Sequence, residues 1–119
     1  MNNKKPLNYV RTLRRRWALT QKELADLLGF ENRACISRIE QDKRIPSLES
    51  ALALEVLFGV APRAMFPRVY AETEEEVMQM ALHLYEATFH SSSLQQQRKR
   101  QALDLALKRA TKSSEAKGV

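Results

Sequence analysis

The chain of 119 residues has room for one small domain, or for one domain with an appendage, and its 44% hydrophobic and 29% charged residues are ordinary for a globular protein. A formal net charge of +6 gathers in the first half, where residues 1–66 hold 12 Lys and Arg against 7 Asp and Glu while residues 67–119 hold 8 against 7, so a polyanion would be drawn to that half. No apolar run approaches the ~20 residues of a membrane span, Met1 to Lys5 leads into a polar helix instead of a signal-peptide core, and the lone Cys35 excludes an internal disulfide; a cytoplasmic protein is expected.

Residues 1–6 read as a loose basic arm. Asn8 to Trp17 then forms a first helix, with Val10, Leu13 and Trp17 at helical spacing. Thr20 with Glu23 three residues on is a capping box, in which hydroxyl and carboxylate each satisfy an orphan backbone N–H, so a second helix starts there. Leu24, Ala25, Leu27 and Leu28 lie on its inward arc, and Gly29 ends it in the left-handed conformation. A third helix follows almost at once. Asn32 can cap it, Ile36 and Ile39 share its inward face, and Arg33, Ser37 and Arg38 are left for the other face.

Gln41 to Ile45 is a polar turn. Pro46 pushes Ile45 out of helical geometry, and Ser47 caps a fourth helix that runs to Phe58 and stops at Gly59. Leu48, Leu52, Leu54, Leu57 and Phe58 are expected to close the core. Ala61 to Phe66 makes a short fifth helix, and Pro67 marks the domain's end.

A two-helix extension is expected over residues 68–112. Thr73-Glu74-Glu75-Glu76 reads as another capping box, opening a sixth helix that runs to about Phe89. Val77, Met80, Ala81 and Leu84 form one apolar stripe and Met78, Leu82, Tyr85 and Phe89 a neighbouring one, an arc wide enough for two packing partners. After the break at His90 to Ser93 comes a seventh helix, with Leu103, Ala106, Leu107 and Ala110 on its inward face; residues 113–119 are expected to fray into a disordered tail.

The ordered motifs carry a resemblance. Leu19-Thr20-Gln21 with Glu23-Leu24-Ala25, then Leu28-Gly29, Ile36-Ser37-Arg38-Ile39-Glu40, Lys43-Arg44 and Pro46-Ser47-Leu48 fall in the order of the Xre and lambda-repressor-like (Cro-type) helix-turn-helix DNA-binding domains, which the chain resembles over roughly residues 7–67. The resemblance implies an all-α, five-helix DNA-binding domain at 1–67. It also implies a structural ion pair between Arg14 and Glu40, and a phosphate contact by Gln21 that can brace the third helix.

Departures from the family's pattern are equally specific. Gly29 and Ile36 are seven steps apart where many members have six, placing one extra turn residue around Glu31. Ala18 and Asp42 stand where the family often has glycine, which implies left-handed strain or a different bend. Glu55 replaces a usual small residue. Val56 is apolar where a polar residue is common, as a surface for a second subunit would require.

On DNA the third helix would enter the major groove, with its N-terminal side chains on base edges and the preceding helix across the phosphates. Arg33 or Arg38 would favour guanine through two acceptors at once, and Ala34 could touch a thymine methyl. Thr20, Gln21, Lys22, Asn32 and Ser37 complete the expected contacts near it. Lys43 and Arg44 would grip the backbone or form a merely solvated turn, and Arg15 and Arg16 read first as solvated charges and second as phosphate contacts.

A dimeric repressor reading a palindromic operator is the expected function. Its interface would draw on Val56, Met65 and Phe66, or on Val77, Met78, Leu82, Tyr85 and Phe89 of the extension, unless the extension packs on its own domain. The rival is an antitoxin or accessory factor whose C-terminal helices bind another protein. His83 and His90 lack companions for a metal, no cofactor motif stands out, and no nucleophile and base are positioned for an enzyme.

Overall fold

A computed structural model describes residues 6–117, with the side chains of 113–117 outside that description; the expected basic arm lies, but for Pro6, outside the described residues. The described chain is all-helical: α1 (Val10–Arg16), α2 (Gln21–Leu28), α3 (Ala34–Glu40), α4 (Leu48–Phe58), α5 (Pro62–Met65), α6 (Pro67–Ala87) and α7 (Leu94–Lys117), with a 3-10 turn at Thr88–His90. It divides into two units, Met1–Tyr70 and Ala71–Val119. None of these helices is long and apolar enough to cross a membrane.

In the first unit the helix ends follow from local chemistry. Thr20 and Glu23 form the full capping box, with Glu23 N–H donating to Thr20 Oγ1 at 3.0 Å and Thr20 N–H to Glu23 Oε1 at 2.9 Å. Ser47 accepts from Ser50 N–H, and Gly29 and Gly59 close α2 and α4 at φ 77° and 70°. The core gathers Val10, Leu13, Leu24, Ala25, Ile36, Ile39, Leu54, Met65 and Phe66, with Tyr9, Leu28, Phe30, Phe58, Val60 and Val69 packed partly against it.

Asn8 stands before α1 and is not part of it. Its Oδ1 accepts from Val10 N–H at 3.1 Å, while Nδ2 donates to the Ile39 carbonyl at 2.8 Å and to Asp42 Oδ1 at 2.9 Å. The buried amide thus starts α1 and ties that start to the end of α3.

Several expectations about the core are corrected. Trp17 is 65% exposed, because α1 ends at Arg16 and the chain turns away through Ala18. Leu27, Leu48, Leu52 and Leu57 are exposed as well, so α2 and α4 bury narrower faces than their apolar content suggested. Met65 and Phe66, expected at a dimer surface, are buried in their own domain's core, where α5 is too short to present a second face. Val56 remains open at 85% exposed.

Helix α6 starts at Pro67, not at Thr73. Proline's fixed φ suits a helix's first residue, and Arg68 to Glu72 include no breaker, so the Thr73 box lies inside a continuous helix. In the second unit Ala81 is buried and Glu74, Met78 and Tyr85 are half-buried, marking one face of α6; Leu103, Ala106, Leu107 and Ala110 are half-buried on α7. Met78 shares a depression with Leu107 and Ala110, and Tyr85 meets Phe89 edge to face at 5.2 Å between centroids. Met78 and Tyr85, expected at a partner interface, are therefore engaged within the hairpin.

Thr88 locks the hairpin's closed end. Its fully buried hydroxyl donates to the Tyr85 carbonyl at 2.6 Å and accepts from Arg100 Nε at 3.1 Å, while Arg100 Nη2 donates to the Thr88 carbonyl at 2.7 Å. The same guanidinium lies 4.2 Å over the Phe89 ring. Further along α7, a hydrogen bond from the exposed Lys108 to Asp104 raises that ammonium's pKa, with their opposite charges adding to the effect. The helix continues to Lys117, past the tail expected from Ser113, since Glu115 and Ala116 favour helix and Gly118 comes only afterwards.

Candidate nucleic-acid interface

Burial of Ile36 and Ile39 fixes the rotation of α3 about its axis. The opposite side, with Arg33, Ala34, Ser37, Arg38 and Gln41, is consequently turned outward, and together with Gln21 and Lys43 it lines one open depression. A second depression adjoins it, lined by Arg11, Arg14, Arg15, Thr20, Gln21, Lys22 and Arg33. Gln21 and Arg33 border both, and neither lining includes a carboxylate.

A buried polar knot holds the two helices that make this surface. Arg14 Nε donates to Glu40 Oε2 at 2.6 Å and Nη2 to Oε1 at 3.2 Å, while Nη1 donates to the Leu19 carbonyl at 2.9 Å. Gln21 Nε2 adds a bond to Glu40 Oε1 at 3.1 Å. The pair is 10% and 4% exposed at its side chains, so Arg14 is committed to structure while its neighbours Arg11 and Arg15 stay exposed. Gln21, at the first turn of α2, braces the end of α3 from there.

Eight of the ten residues expected to contact DNA line these depressions: Thr20, Gln21, Lys22, Arg33, Ala34, Ser37, Arg38 and Lys43. Thr20 Oγ1 is also the cap of α2, and Lys22 bridges Asp26 at 2.5 Å on an exposed face where such a pair contributes little. Asn32 and Arg44 are not among the lining residues. Asn32 Oδ1 accepts from Ala34 N–H at 3.0 Å, so its side chain shapes the turn before α3, and Arg44 lies 5.2 Å over the Phe30 ring.

Arg11 and Gln41 were missed. Arg11 sits one turn before Arg15 on α1, a spacing that puts two cations on one face, and Gln41 donates to Ser37 Oγ at 3.1 Å across the outward side of α3. After Gly29, Phe30 closes α2: its N–H donates to the Ala25 carbonyl at 2.8 Å and its ring packs partly against the core.

Residues 10–64 match a family model described as helix-turn-helix. The N-terminal domain belongs to this family. No curated protein and no solved structure matched the chain. The helix-turn-helix domain is a DNA-binding one, with α2 and α3 as the helices either side of its turn and the cation-lined depressions on their outward side. Among the described residues no group of His, Cys, Asp and Glu is arranged to hold a metal, and Cys35 is a half-buried free thiol.

Proposed function

We propose that the protein is a transcriptional regulator that binds double-stranded DNA sequence-specifically, as a homodimer on a palindromic operator, and represses the adjacent gene. The observation that carries this reading is the outward side of α3: Arg33, Ala34, Ser37 and Arg38 share one carboxylate-free depression with Gln21 and Lys43. Arg33 and Arg38 would read base edges, where a bidentate guanine contact discriminates by about 1–3 kcal/mol. Gln21, Thr20, Lys22 and Lys43 would hold phosphates and set the helix's register in the groove. Arg11 and Arg15 extend the phosphate track across α1.

Selection of bound sequences from random duplex DNA, with the full-length protein at near-physiological salt, tests the reading. Enrichment of a palindrome with fixed half-site spacing is the expected outcome. Weak, salt-sensitive binding without enrichment would remove the sequence-specific function. The partner-binding reading, an antitoxin or accessory factor, is favoured by one observation, the uncovered Val77, Met80, Leu82 and Leu84 on α6. Stoichiometric co-purification of another protein through residues 71–117 is the result that would support it.

A further inference from the structure

The second unit keeps an apolar side that its own two helices do not cover. Arg100 over Phe89, and Leu107 and Thr111 beside Met78, mark one side of the α6–α7 hairpin. Val77 and Leu84 lie on the other flank of the buried Ala81 from Met78 and Phe89, and Ala102 and Ala106 lie on the other flank of Leu103 from Arg100 and Leu107. The opposite side of the hairpin therefore presents Val77, Met80 and Leu84 as a ridge on α6 beside a low shelf of Ala102 and Ala106 on α7. Met80 is 68% exposed and its two neighbours about half.

Charge is divided between the helices as sharply as side-chain size. Residues 71–93 hold five Glu and no Lys or Arg, whereas Leu94–Lys117 holds seven Lys and Arg against two Asp and Glu. Glu76 borders the ridge, and Lys99 and Arg109 border the shelf, so this face carries a carboxylate on its α6 side and two cations on its α7 side. A foreign partner would need both a matching shape and the inverse charge order. A second copy turned about a two-fold axis parallel to the helices has both.

We propose that this face is the homodimer interface, each copy seating Val77, Met80 and Leu84 on the other's Ala102 and Ala106 in a four-helix bundle. The proposal rests on the dimeric reading above and deepens it. The antiparallel hairpin sets the levels: Arg100 bonds Thr88 and Met78 neighbours Leu107, so under this axis Leu84 falls level with Ala102 of the second copy and Met80 with its Ala106. Glu76 then comes level with the opposite Arg109. Turning the copy instead so that α6 meets α6 would set ridge against ridge and carboxylate against carboxylate, leaving both alanine shelves empty.

Sedimentation equilibrium of the full chain tests the face, with circular dichroism to verify that each variant remains helical. Met80→Glu should weaken dimerisation by about 100-fold or more, because a carboxylate would be stranded in an apolar contact. Glu76→Arg should weaken it by about 3- to 10-fold, and Glu76→Arg with Arg109→Glu should restore it, a rescue that loss of folding would not show. A monomeric wild type, a Met80→Glu variant that dimerises unchanged, or a dimer lost only on charging the exposed Val56 on α4 would each overturn the proposal. Duplex selection separates it from the functional reading. A palindrome read by a protein whose Met80→Glu form still dimerises sinks the face and spares the function; a dimer broken by Met80→Glu in a protein that enriches no DNA does the reverse.

Discussion

Arg14 and Glu40, 26 positions apart in sequence, meet through two hydrogen bonds of 2.6 and 3.2 Å with both side chains almost fully buried. The pair fixes the end of α3 against α1, and the third bond to Glu40, from Gln21, brings in α2. Arg14→Ala would leave the Glu40 carboxylate buried with Gln21 as its remaining partner, which costs about 3–5 kcal/mol where water cannot replace the cation. Urea denaturation should show that loss with an unchanged m-value. A change below ~1 kcal/mol would mean that the carboxylate reaches solvent.

The two left-handed residues should respond oppositely to glycine. Ala18, at φ 57°, is an exposed turn residue, and its methyl is strained against the following carbonyl. Ala18→Gly should raise stability by about 0.5–1 kcal/mol, the relief slightly exceeding the added freedom of the unfolded chain. Asp42, at φ 60°, accepts from Asn8 and pairs with Arg68. There the lost charge-assisted bonds should outweigh the relief, and Asp42→Gly should destabilise by about 1–2 kcal/mol. Thermal melts of both variants check the contrast, and stabilisation by both would show the Asp42 bonds to be worth little.

How far the molecule was legible in its sequence depended on how local the physics was. Thr20 with Glu23, Gly29, Ser47 and Gly59 place helix ends through backbone bonds within a few residues, and those ends stand where the letters put them. Thr73 with Glu76 has the same lettering and starts nothing, because a cap matters only where the preceding backbone is free to leave the helix, and Pro67 had already begun one. Burial was harder to read. Leu48 and Leu52 have core periodicity, yet only the packed neighbours decide how wide a face is covered, and these two remain exposed. The Arg14–Glu40 pairing entered through the family resemblance: spacing from Val10 sets Arg14, unlike Arg15 and Arg16, on the inward face of α1, but no local signal names a partner 26 positions away. Arg11 escaped notice for the converse reason: a solvated arginine shows its place in a cationic surface only once α1 lies beside α2.

Thr88→Val should report on the second unit. Valine keeps the shape but removes the hydroxyl that bonds Tyr85 and Arg100, at a cost of about 1–3 kcal/mol for the unsatisfied groups left in a buried position. Calorimetry of the full chain should show a lower unfolding temperature, with duplex binding retained below it, where the hairpin is still folded. An unchanged melting profile would mean that water takes over both bonds.

The proposed DNA contacts divide into two groups with different signatures. Arg33→Ala or Arg38→Ala should relax preference at one base pair of each half-site by about 1–3 kcal/mol, because the guanidinium reads a base edge. Lys43→Ala, Arg11→Ala and Arg15→Ala should weaken binding to all duplexes alike and lower the slope of log K against log salt by about one unit each, since each removes one neutralised phosphate. Arg44→Ala should alter that slope less, its guanidinium being held over Phe30 outside the lined depressions. Binding isotherms on the selected operator and on scrambled duplex, at three salt concentrations, separate the groups. Should Arg33 and Arg38 behave like Lys43, α3 lies along the phosphates, and base reading must come from other residues.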